Sequence, residues 1–147
     1  MRVVLGSDHG GFTLKEAIKA HLLEQGHTCE DVGCFDQSSC DYPLIAEQAG
    51  QALLAGKGEL GILCCGTGIG ISMAANKVKG IRAACCSDYF SAKYTRLHNN
   101  ANFLCLGGRV LGIGLALELV DVFLNTPFEG GRHARRVNQI GEIEARQ

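Results

Sequence analysis

The sequence lacks an excess of charge of either sign. Lys and Arg number 14 against 15 Asp and Glu, a formal net of -1, so a general affinity for nucleic acid or an anionic membrane is not expected. It also lacks any apolar stretch near the ~18 uninterrupted residues that a membrane helix needs. No basic leader with an apolar core precedes Met1-Arg2-Val3-Val4-Leu5-Gly6, which runs straight into strand-like sequence. These absences predict a cytoplasmic protein with no membrane partner. No internal repeat, linker or low-complexity segment divides the chain, and 147 residues suit one domain spanning 1–147.

Cysteine is abundant, with eight in the chain. In a short secreted chain that would suggest a disulfide scaffold, but nothing else here fits that setting. Cys64, Cys65, Cys85, Cys86 and Cys105 lie in apolar strand-like runs, where a thiol behaves as a small hydrophobe. Cys29, Cys34 and Cys40, near His27, are separated by four and five residues, which matches no common zinc spacing. No metal and no cofactor are expected.

Strand and helix signals alternate along the whole chain. Apolar strands are expected at Val3–Gly6, Leu60–Cys64, Ile81–Cys86 and Phe103–Leu106, with a weaker one at Thr28–Val32. Between them, Leu14, Ile18 and Leu22 mark one helical face, and Gly26 is a plausible stop. Asp41-Tyr42-Pro43 reads as a helix start running to about Leu54. Helices are also expected at Ile71–Lys77, Ser91–His98, Ile113–Leu124 and Arg132–Ala145. Strands without polar alternation are buried on both faces. The expected fold is therefore a three-layer α/β/α, Rossmann-like domain with about five parallel strands and a C-terminal helix.

Ligands bind such sheets at the carboxyl ends of the strands. Four loops lie there: Ser7-Asp8-His9-Gly10-Gly11, Cys65 to Gly70, Ser87-Asp88-Tyr89 and Gly107-Gly108-Arg109. In the second, Gly66, Gly68 and Gly70 let the backbone approach a ligand, and a helix follows. Cys65 stands at that junction, where a lowered thiol pKa would supply a base beside amides that hold an oxyanion. From the residues alone, the commoner role for such a thiol is simply to end a buried strand. Dinucleotide binding, with Asp88 as the ribose acid, would need G-x-G-x-x-G, whereas this loop is G-x-G-x-G in mid-chain. Asp8 and His9 could contact phosphate or hydroxyl groups, or Asp8 could cap the next helix. His98 could answer a helix dipole. Arg132 and Arg136, four apart, share a helix face that could grip one phosphate or stay solvated.

Taken together, these segments resemble the type B ribose-5-phosphate isomerases, a family that includes galactose-6-phosphate isomerase subunits and allose-phosphate isomerases. The resemblance rests on the Ser7–Gly11 loop, Asp41-Tyr42-Pro43, Cys65-Gly66-Thr67-Gly68-Ile69-Gly70-Ile71-Ser72, Ala74-Ala75-Asn76-Lys77, Gly80-Ile81-Arg82-Ala83, His98-Asn99 and Glu129-Gly130-Gly131-Arg132-His133. It spans practically the whole chain in order. It implies an aldose-ketose isomerase with Cys65 moving a proton between C1 and C2, and with Thr67 and the Gly66, Gly68, Ile69 and Gly70 amides on the enediolate. Some relatives use a carboxylate at the position of Ile71 instead, but here the Cys is present. His98 would open the sugar ring with Asp8 nearby, and Tyr42 and Asn99 would contact hydroxyls. His9, Arg132 and Arg136, with Arg109 a further candidate, would bind the phosphate. The resemblance further implies a phosphorylated sugar as substrate and a homodimer with shared active sites, with assembly to a tetramer open. A hexose-6-phosphate substrate, or a non-catalytic sugar-phosphate or nucleotide binding module, stays open.

Overall fold

The computed structural model describes residues 1–147. Five strands form one parallel sheet: β1 (Arg2–Ser7), β2 (Thr28–Asp31), β3 (Leu60–Cys65), β4 (Ala83–Cys85) and β5 (Phe103–Gly107). Six helices complete it: α1 (Phe12–Glu24), α2 (Tyr42–Leu54), α3 (Ile69–Ala75), α4 (Tyr89–Asn99), α5 (Ile113–Asn125) and α6 (Arg132–Ala145). The Rossmann-like α/β/α architecture expected from the sequence is the one observed.

The central strands are buried on both faces because their side chains alternate between two cores. Val3 and Leu5, Ile62 and Cys64, and Leu104 and Leu106 point towards Leu14, Ile18, Leu119 and Phe123 of α1 and α5. Val4, Leu63, Cys65, Phe103 and Cys105 point the other way, towards Ile45, Ala49, Ile71 and Ala75 of α2 and α3. The same alternation gives two adjacent thiols different fates. Cys64 faces the α1 and α5 core, and burial raises its pKa. Cys65 faces α3 and the loop that leads into it.

The strand order is β2-β1-β3-β5-β4. The chain leaves β1 towards β2 on one side and returns to β3 on the other. The switch point therefore falls between β1 and β3, where a crevice opens at the carboxyl ends. Gly11 follows β1 there and passes so close to β3 that an added Cβ would lie 2.3 Å from the Cys64 carbonyl carbon. Only glycine fits.

Expected boundaries move in β4, at both ends of α3 and at the start of α4, which begins at Tyr89 rather than Ser91. β4 covers Ala83–Cys85 rather than six residues, because Arg82 turns its guanidinium onto the Asn99 and Asn100 carbonyls at the entrance to this edge strand. The third helix starts at Ile69, two residues early, since Gly68 at φ 81° already makes the turn.

Candidate active site

At the switch point, the loops after β1 and β3 touch. An added Cβ on Gly10 would lie 3.2 Å from the Gly66 nitrogen, so the two backbones are in contact. Asp8 is buried, and its Oδ1 accepts the Gly11 N–H at 3.0 Å. Its side chain thus ties the turn before α1 rather than lying free. His9 projects into solvent, and its Nδ1 accepts the Cys40 N–H at 3.2 Å. That bond leaves Nε2 as the protonated nitrogen, free to donate outwards. Asp8 and His9 line a cleft of about 610 Å³ with Cys40, Asp41, Tyr42 and Pro43.

The Gly66–Gly70 loop forms the floor beside it. Gly68 N–H donates to Cys65 Sγ at 3.0 Å, aiming a backbone dipole at the sulfur. Ile69 N–H is taken by Thr67 Oγ1 at 3.1 Å. The N–H groups of Gly66, Thr67 and Gly70 have no partner within the protein. Of the amides expected to hold an oxyanion, Gly66 and Gly70 are therefore free, while Gly68 serves the sulfur and Ile69 serves the Thr67 hydroxyl. The free amide of Thr67 adds a third donor.

Two side chains close over this loop. An added Cβ on Gly70 would meet the Tyr42 ring at 2.8 Å, and one on Gly66 would meet the Arg109 guanidinium at 3.2 Å. Arg109 is held there because its own N–H donates to the Gly66 carbonyl at 3.0 Å. It makes no salt bridge, so its charge is available to an anion. Cys65, Thr67, Asp8, His9, Tyr42, Arg109 and the glycines thus form one constellation: a thiol, free amides, two hydroxyls, a carboxylate, an imidazole and one guanidinium.

The remaining expected residues lie elsewhere in the protomer. α4 leaves the carboxyl end of β4 and runs back along the sheet for 11 residues, ~16 Å at the helical rise. His98 and Asn99 therefore sit near the amino edge, next to the segment entering β5. Within one chain the direction of α4 separates His98 from Asp8, carrying it towards the opposite end of the sheet. α6 packs against α4, so Arg132 and Arg136 go with His98; both are exposed and without an ion pair. The residues thus fall into two half-sites.

His133 belongs to the second half-site and was given no role by sequence reasoning. It is buried, and its ring stacks on His98 with centroids 4.0 Å apart. Its place in the Glu129–His133 segment was the available signal. The alternative role for Asp88 fails, because its carboxylate caps α4 by accepting the Ser91 N–H at 2.7 Å.

Comparison with known proteins shows the family. The Ribose/Galactose Isomerase family profile matches residues 3–140. Ribose-5-phosphate isomerase B of Escherichia coli is 47% identical over 146 residues, covering 99% of this chain and 98% of its own. Galactose-6-phosphate isomerase subunit LacB of Clostridium acetobutylicum is 41% identical over 129 residues, 88% of this chain and 75% of its own. The structure of Clostridium thermocellum ribose-5-phosphate isomerase B superposes with a TM-score of 0.98 at 49% identity, covering 99% of both chains. A family match over nearly the full length, joined to a thiol among free amides at the switch point, leads to one conclusion: the chain belongs to the ribose/galactose isomerase family.

Proposed function

We propose that this family member interconverts ribose 5-phosphate and ribulose 5-phosphate through an enediolate, with the Cys65 thiolate as base and without a metal. The carrying observation is the Gly68 N–H on Cys65 Sγ, 3.0 Å away, beside the unpartnered amides of Gly66, Thr67 and Gly70. A thiolate so placed can take the proton from C2 of the open-chain aldose while electrons shift from the C1 carbonyl onto O1. The amides stabilise the resulting oxyanion. Returning the proton to C1 while O2 loses its own completes the ketose. No electron leaves the substrate, so the step needs no redox partner. Thr67 Oγ1, held by Ile69 N–H, is positioned to relay the proton between O1 and O2.

The phosphate falls to His9 and Arg109 on one side and to Arg132 and Arg136 on the other, with His98 opening the furanose and Asn99 and Tyr42 on hydroxyls. Joining these groups requires a second copy of the chain, so the working unit is a homodimer with sites shared between subunits. Exposed apolar side chains around the Cys65 half-site support that pairing. Ile69 is 50% exposed, Met73 64% and Val110 60%, all beside the Cys65 loop or Arg109 in sequence. The reading also implies work in pentose phosphate interconversion in the cytoplasm.

Hexose 6-phosphates are the rival substrates, supported by the LacB relative. One extra carbon is worth only ~1–3 kcal/mol of discrimination, so the preference must be measured. Chelator-treated protein should form ribulose 5-phosphate from ribose 5-phosphate, and Cys65→Ser should lose most of that rate while remaining folded. Turnover of allose or galactose 6-phosphate alone would keep the chemistry and change the substrate. Inactivity on all three would favour a binding module.

A further inference from the structure

Apart from Cys65, one group of side chains has the composition of a metal site. His98, Glu129 and His133 bring one ligand atom each to within 4.8 Å of one another. His98 Nε2 and Glu129 Oε2 are already 3.7 Å apart. His133 is 6% exposed, and its Nε2 is buried without a hydrogen-bond partner. Buried ring nitrogens normally have a partner, so this atom is an acceptor or donor still lacking its ligand.

We propose that His98, Glu129 and His133 form an inhibitory site for a divalent transition metal of the zinc type. Two imidazoles and a carboxylate suit such an ion, and a water would fill the fourth position. Tetrahedral bonds of 2.0–2.1 Å set donor atoms roughly 3.3 Å apart. His133, fixed by burial, is the anchor, and the other two ligands must close on it. Both can do so, because the His98 and Glu129 side chains are 36% and 55% exposed. The rings lie only 10° from parallel, so their nitrogen lone pairs run side by side and His98 must swing about χ2 to converge. Arg132 and Arg136 repel a cation and Glu129 offsets part of that, which sets the affinity below that of a structural zinc site. Holding His98 Nε2 removes it from proton transfer. That consequence rests on the role proposed above for His98; the site itself rests on the geometry alone.

The test uses the metal-stripped full-length protein titrated with Co²⁺, read by absorption. The expected spectrum has visible bands of a tetrahedral nitrogen–oxygen site and no thiolate-to-cobalt charge transfer. His133→Gln should abolish it. Glu129→Gln should weaken binding at least about tenfold, the lower end of what losing even a supporting partner costs. In parallel, Zn²⁺ should inhibit the wild type, and the inhibition midpoint of Glu129→Gln, measured relative to its own metal-free rate, should rise by the same factor. A charge-transfer spectrum indifferent to His133→Gln would assign the metal to the cysteines and overturn the site. Cobalt bound through His133 without any inhibition by zinc would overturn the inhibitory role, and with it the use of His98 in turnover.

Discussion

Replacing Gly68 with alanine should separate a loop that merely folds from one that activates a thiol. Gly68 holds φ 81°, and a methyl there would lie 2.9 Å from the Leu106 carbonyl carbon and 3.1 Å from Cys85 Sγ. The left-handed backbone alone costs about 1–2 kcal/mol for a residue with a Cβ. Because one of those contacts is backbone, the loop itself must shift, and the shift takes the Gly68 N–H off Cys65 Sγ. A hydrogen bond to a charged group contributes about 1.5–3 kcal/mol. At 1.36 kcal/mol per decade, kcat/KM should fall about tenfold to a hundredfold. Gly26→Ala is the matched control, with φ 84° and nothing within 4 Å of the added methyl. It should lower Tm by a few degrees, about 2–4 °C per kcal/mol at this chain length, with kcat/KM unchanged. Both variants would be measured by initial rates on ribose 5-phosphate and by thermal unfolding at matched concentration. A folded Gly68→Ala protein within twofold of wild-type kcat/KM would refute the assignment of that amide to the sulfur.

Three further outcomes follow from the packing. Lys15 is 1% exposed, with Nζ 2.9 Å from Asp31, which Lys19 also pairs at 3.1 Å. Asp31→Asn leaves the buried ammonium with only the more distant Glu16 carboxylate, 3.4 Å away, and should cost about 3 kcal/mol in urea unfolding, whereas Lys15→Met should cost clearly less; equal losses would contradict this. An added Cβ on Gly61 would lie 2.0 Å from the Phe103 ring, so Gly61→Ala should destabilise by about 1–3 kcal/mol, and Phe103→Leu in the same chain should recover part of it. Burial pushes the Cys86 thiol up to about 11 and raises Cys64 and Cys105 as well. Near neutral pH these three should therefore stay unlabelled by iodoacetamide in the native protein, as read by peptide mass spectrometry; labelling of Cys64 as fast as Cys65 would show that the two thiols are not sorted onto opposite faces.

The sheet was readable because its inner strands are uninterrupted apolar runs with glycines at their ends, and the helices repeat on a 3.6-residue period. The edge strand β4 was overextended, since Ile81 is as apolar as a strand residue but packs with α2 and α3 before the strand begins. The half-site around Cys65 was legible for a related reason: Asp8, His9, Cys65, Thr67 and Arg109 lie at or just beyond the carboxyl ends of strands, while Tyr42 opens α2. His98 and Arg132 were readable as residue types but not as places, because where a helix carries its last turn depends on chain direction in three dimensions. The Cys40 N–H that orients His9 left no trace in sequence, because any residue at that position could supply it. Helical spacing does put Lys15 on the α1 face beside Ile18 and Leu22, but its partner Asp31, 16 residues away on β2, could not be read from that spacing.

The central claim is that one chain holds half of each active site. Its most direct test mixes Cys65→Ser and His98→Asn proteins, each inactive alone, under conditions that let subunits exchange. Statistical exchange makes half the dimers mixed, each with one intact site of two, so activity should return to roughly a quarter of wild type. If the mixture stays silent while subunit exchange is demonstrated by mass spectrometry, both residues serve the same chain's site, and the shared-site account is wrong.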